Sequence, residues 1–270
     1  MRRQRLGILA AAGLTAMAAL QGFTPKPQDD GVVRIENVEV RYREPGEFLS
    51  ATVPVNGPIG EIRSEGEISI MRRQVTRGDY ERCVAAAACD PLDKATPADR
   101  PAVGLSYNDA VAYARWLSGE TGERWRLPTD REWALAAGTR YRDDAWTEVS
   151  DPANPSKRWI ATYDAESSGQ EAVEPDPQPL GAYGENEHGL QDLSGNVWEW
   201  TSTCYIRHRL DTGDTTENCG VRIAEGQHRA YMTAFFRDPK AGACSVGIPP
   251  ANLGIRLVRD EGGWRGWLGL

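Results

Sequence analysis

Between Ser194 and Trp200 the chain reads SGNVWEW, placing two of its nine tryptophans on either side of one glutamate. Few local backbones accommodate that. In a strand, successive side chains alternate between faces, so Trp198 and Trp200 share one face and Glu199 takes the other. Asn196 lies just upstream, on a turn that Gly195 makes easy. The segment is therefore predicted to bury two indoles on one side. On the other it aims oxygen ligands at a partner, either a cation or an arginine.

The flanking sequence predicts an α+β chain with much irregular backbone. From Gly31 to Ile70 short alternating runs such as VVRIENVEVRY and EGEISI read as strands. A first helix is predicted after Thr76, in TRGDYERCVAAAAC. A second follows Ser106, with Asp109 completing its cap and Gly119 or Gly122 ending it. A third follows Thr129, where Thr129 and Glu132 form a capping box and Gly138 stands at the left-handed C-cap position. From Arg140 to Pro179 the chain turns acidic and proline-rich, with few periodic segments, and is predicted to form long ordered loops. A disordered linker is the alternative. No internal repeat is present, so one domain over residues 32–260 is the simplest organisation, followed by a tail at 261–270.

The N-terminus reads as an export signal. MRRQR precedes an Ala-rich apolar run from Leu6 to Leu20, too short for a comfortable membrane span, and Ala16 and Ala18 offer a small-x-small cleavage site. Residues 1–18 are the expected signal peptide and 19–31 a flexible segment; an uncleaved anchor is the alternative. Arg2-Arg3 fits the twin-arginine route poorly. Cleavage after Ala18 leaves 28 basic against 39 acidic residues, a formal charge of −11, which repels nucleic acid and anionic lipid. A periplasmic or secreted protein without membrane insertion is expected. In an oxidising compartment the five cysteines read as two local pairs and one leftover thiol. Zinc is disfavoured: there is no CxxC, and His188, His208 and His228 are scattered.

Three ordered stretches resemble the formylglycine-generating enzymes, or sulfatase-modifying factors. They are RPAVGLSYNDAVAYARWLSGETGERWRLPTDREWALAAG, ENEHGLQDLSGNVWEWTS and ANLGIRLVRD, with weaker matches at EPGEF and RQVTRGDYERC. The resemblance implies that family's fold, a single irregular, loop-rich α+β domain distantly like C-type lectins. It also implies a structural calcium at the Gly-Asn-x-Trp-Glu-Trp turn. Carried over, Asn196 and Glu199 are the candidate side-chain ligands, with Ser194, Gly195 and Val197 offering carbonyls. That donor set is of the kind calcium takes. The alternative is that Glu199 pairs with an arginine.

The family's oxidase chemistry is not expected to survive. Its members resemble one another in two reactive cysteines that hold Cu(I), and the matching stretch near Ala230 to Phe235 contains none. Cys83 and Cys89 are expected to bridge if the first helix ends between them. Cys204 and Cys219 flank a polar loop where relatives often carry cysteines, which leaves Cys244 as the free thiol. The sulfoxide-synthase branch needs a helical iron-binding domain that has no room here. His228, Tyr231, Arg237 and Cys244 remain as candidate groove residues, each with a structural reading beside the catalytic one. The expectation is an accessory or binding protein that holds an exported protein, peptide or small metabolite. The alternative is an exported oxidoreductase or maturation enzyme using other residues, and carbohydrate binding is a third reading by fold analogy alone.

Overall fold

The computed structural model describes residues 31–145, 147–149, 154, 156–168, 176–238 and 252–260. The expected signal peptide, the C-terminal tail and Cys244 lie outside them.

The described residues begin with six short strands: β1 (Val32–Ile35), β2 (Glu39–Arg43), β3 (Glu47–Ser50), β4 (Val53–Val55), β5 (Ile59–Arg63) and β6 (Ile68–Met71). Helices α1 (Arg77–Ala85) and α2 (Tyr107–Thr121) follow, then β7 (Arg124–Arg126), α3 (Asp130–Ala137) and α4 (Ser156–Ser168). A long hairpin of β8 (Trp198–Arg209) and β9 (Thr215–Glu225) leads to β10 (Ala230–Thr233), β11 (Leu253–Gly254) and β12 (Val258–Asp260). These strands form three sheets, in the orders β1-β6-β12-β7, β10-β9-β8-β3-β4 with β11 beside β8, and β2-β5 alone. The α+β class expected from the sequence is the observed one.

The first three helices start where their caps dictate. Thr76, Ser106 and Thr129 each accept from the backbone N–H of the third helical residue, whose carboxylate bonds back to the cap. Gly122 ends α2 in the left-handed conformation. Gly138 differs from expectation. Its φ of 56° is positive but its ψ of −123° is not that of a left-handed helix cap, and it opens a 3-10 turn, Gly138–Arg140. A Cβ there would lie 2.1 Å from a Glu187 carboxylate oxygen and would displace that side chain, but the positive φ is what calls for glycine.

Helix α4 corrects the reading of residues 140–179 as loops without regular structure. Two of its apolar residues, Ile160 and Tyr163, are exposed.

Both cysteine pairs bridge as expected, Cys83 to Cys89 and Cys204 to Cys219. Helix α1 ends at Ala85, between the first two. The second pair closes a loop with a sequence separation of 15, between adjacent strands β8 and β9. Replacing Cys204 and Cys219 together by serine is expected to cost about 3 kcal/mol in the chain-entropy account. Urea denaturation at fixed pH checks this, and an unchanged midpoint with unchanged slope would contradict it.

Candidate functional site

The alternation predicted for the Trp-Glu-Trp segment is present. Trp198 and Trp200 enter one hydrophobic cluster, and their indole N–H groups donate to the carbonyls of His228 and Leu105. Glu199 faces the other way and is completely buried. Its Oε1 accepts from Gln74 at 2.8 Å and from Arg256 Nη2 at 2.9 Å. Its Oε2 accepts from Trp133 Nε1 at 2.7 Å and from Arg256 Nε at 2.9 Å. Arg256 spends its remaining donors on the carbonyls of Met71, Arg72 and Gln191.

This geometry favours the arginine reading of Glu199 over the calcium one. A carboxylate offers about four acceptor positions, and four N–H donors already fill them. The upstream turn is likewise closed by protein donors. Asn196, at φ 65°, accepts from the Gln178 N–H at 2.8 Å, and Asp192 accepts from the N–H groups of Gly181 and Tyr183. The Gly195 carbonyl takes the Val197 N–H. Without Glu199, the expected set of Ser194, Gly195, Asn196 and Val197 carries no formal charge.

A second buried network surrounds Arg229, itself 1% exposed. Its guanidinium donates to Asp130 at 2.8 Å, Glu225 at 3.1 Å and Tyr141, and reaches Asp144 at 3.4 Å. The Tyr42 hydroxyl also donates to Asp130, and the Tyr42 ring lies 5.1 Å from the guanidinium carbon. Burial is the largest influence on Glu225. It holds that carboxyl well above the usual glutamate range, with the Asp130 charge adding to the effect. For Asp130 burial also acts upward, but the Arg229 cation and hydrogen bonds from Glu225 and Tyr42 outweigh it and leave the carboxyl lowered. From these opposite directions Glu225, rather than Asp130, is expected to hold the proton of the pair.

Two of the groove candidates, Tyr231 and His228, are buried in this scaffold, while Arg237 is partly exposed. Tyr231, on β10, donates to Asp144 at 2.6 Å and accepts from the Gly46 N–H; burial drives its phenol far above the tyrosine range. His228 is buried, donates from Nδ1 to the Arg229 carbonyl and meets the edge of Trp198. Arg237 turns elsewhere, clamping Asp109 at the start of α2 through two hydrogen bonds of 2.7 and 2.8 Å. No catalytic constellation joins the three. What the sequence reading missed is an exposed aromatic pair. Phe235 and Phe236, 70% and 46% exposed, follow β10 directly. Two adjacent phenylalanines in a chain with only four were the available signal.

Residues 24–261 match the sequence profile described as the sulfatase-modifying factor enzyme 1-like domain. The chain belongs to that family. As a sulfatase-modifying factor enzyme 1-like protein it is 36% identical over 136 residues to the formylglycine-generating enzyme of Mycobacterium tuberculosis, a match covering 49% of this chain and 43% of that protein. It is 31% identical over 170 residues to the inactive C-alpha-formylglycine-generating enzyme 2 of Bos taurus, covering 60% and 50% respectively. The chain thus spans about half the length of the curated relatives it matches. The solved structure of PvdO from Pseudomonas aeruginosa shares the fold, with a TM-score of 0.53 at 18% identity over 85% of this chain and 94% of that one. Among the described residues of this family member, no helix is long and apolar enough to cross a membrane.

Proposed function

We propose that this protein is an exported accessory or binding member of its family, which holds a peptide or exported partner and does not carry out copper-thiolate oxidation. One observation carries the reading. Where the resemblance puts the reactive cysteine pair, the chain has the strand Ala230-Tyr231-Met232-Thr233, largely buried, and then the exposed Phe235 and Phe236. Adjacent exposed aromatics beside a packed strand suit docking, since covering a phenylalanine is worth about 1.5–3 kcal/mol. The other support is ligand count. The four described cysteines are consumed in two bridges, and a copper centre needs two soft thiolates. Disulfides of this kind also favour an oxidising compartment.

Identity alone does not separate the readings, because relatives named as enzymes and as inactive match comparably. The test has two arms. The mature protein, incubated with copper, oxygen and a Cys-x-Pro-x-Arg peptide, is expected to yield no aldehyde by mass spectrometry. A photo-crosslinking residue at Phe235, introduced in cells that export the protein, is expected to give a discrete adduct that the same residue at exposed Tyr163 does not. Aldehyde formation at a catalytic rate, or identical adducts from both positions, would overturn the proposal.

A further inference from the structure

Among the described residues strand β2 has one partner, β5, and the hydrogen-bond pattern shows which of its groups that leaves over. Ser64 N–H donates to the Val38 carbonyl and Glu44 N–H to the Pro58 carbonyl. Pairing thus falls on the even-numbered residues, in the register Val40 to Ile62 and Tyr42 to Gly60. The backbone N–H and C=O groups of Glu39, Arg41 and Arg43 point away from β5, and among the described residues no protein group takes them up. They border a groove of about 610 Å³ that is also lined by Thr139, Tyr141 and Arg142. That volume lies within the ~300–1,000 Å³ range of ligand clefts.

The groove's charges are unequally satisfied. Arg43 is neutralised by Asp143 and Glu148, Glu39 pairs with Arg63, and Glu187 accepts from the Thr139 backbone and hydroxyl. His188 lies 3.9 Å from Glu187. Arg142 meets only the carbonyls of Thr139 and Tyr141, and exposed Arg41 has no carboxylate partner among the described residues. Arg41 and Arg142, the two guanidiniums without a carboxylate partner among the described residues, therefore flank the strand edge, in a lining that also holds Glu39, Asp143, Glu148 and Glu187.

We propose that this groove is a second docking site, separate from the Phe235–Phe236 surface, which takes an extended acidic peptide segment of another protein as an added strand beside β2. An open edge supplies main-chain pairing, and the flanking arginines select for acidic side chains. The distance from Glu39 to Arg43, about 14 Å at ~3.4 Å per residue, allows pairing with a segment of similar length. A neutral or basic segment would pair with the same edge but leave both guanidiniums unanswered.

The probe is a fluorescent peptide, acetyl-Thr-Val-Glu-Val-Glu-Val-Thr-amide, titrated against the full chain by anisotropy. Two further peptides carry N-methyl groups on one or the other alternating set of amides. Saturable binding is expected, with at least tenfold loss for one methylation pattern and little for the other, because only one set faces β2. The lysine-for-glutamate peptide and the R41E/R142E variant are each expected to weaken binding at least tenfold, with the variant's melting temperature unchanged. Equal effects of the two methylation patterns would overturn strand addition, even if the variant failed to fold. Equal affinity for the lysine peptide, or no saturable binding, would also overturn the proposal. None of these outcomes bears on the crosslinking at Phe235.

Discussion

Replacing Glu199 by alanine will destabilise the protein by about 3–5 kcal/mol, the range measured when one member of a buried ion pair is removed. The variant strands the Arg256 guanidinium in a site where Glu199 and Arg256 are both wholly buried. It also leaves the Trp133 indole N–H without its acceptor and the Gln74 amide with only the Asp192 carbonyl at 3.4 Å. Glu199→Gln should be destabilising as well, because it removes the charge paired with Arg256 and turns N–H groups toward the Arg256 and Trp133 donors. The loss is expected to be the same with and without a divalent-metal chelator, since none of the four contacts involves an ion. Urea denaturation of both variants with and without chelator is the measurement. A loss that disappeared on chelation would restore Glu199 as a metal ligand and remove the ion-pair account.

That node shows which parts of the fold were legible. Helix starts are local, and three capping boxes announced them within four residues each. The faces of Trp198, Glu199 and Trp200 follow from strand alternation, and both disulfides join cysteines near each other in sequence. The partner of Glu199 is different in kind. Arg256 lies 57 positions away, and no period or spacing connects the two. Sequence reasoning framed the choice between cation and arginine correctly, but only tertiary packing decides it. The same holds for Asp130. In sequence it is the first residue of α3, an ordinary place for an acid near a helix N-terminus. In the fold it is buried completely against Arg229. The open edge of β2 was equally out of reach, because strand neighbours are set by topology and not by the strand's own residues.

The second large effect belongs to Arg229, which faces three carboxyl groups, Asp130, Glu225 and Asp144. Arg229→Ala removes the single cation that holds the Asp130 carboxyl in its charged form, and a loss of at least about 3–5 kcal/mol is expected. The neighbouring acid behaves oppositely, and the sign decides the experiment. Glu225 has its carboxyl raised in the folded protein, so its contribution is complete below the unfolded value of 4.5 and declines as pH climbs toward the folded value. Asp130 has its carboxyl lowered, so its contribution is present above 3.8 and disappears on acidification. Glu225→Gln keeps the shape and a donor toward Asp130 but has no proton to lose. Its stability relative to wild type should therefore rise with pH above 4.5, while the acid-side loss due to Asp130 remains. Denaturation of wild type, Arg229→Ala and Glu225→Gln between pH 4 and 9 separates the roles. A Glu225→Gln variant destabilised by the same amount at every pH would mean that Glu225 is ionised in the fold. Arg229 would then be compensating two buried charges, and the proton on Glu225 would have to be abandoned.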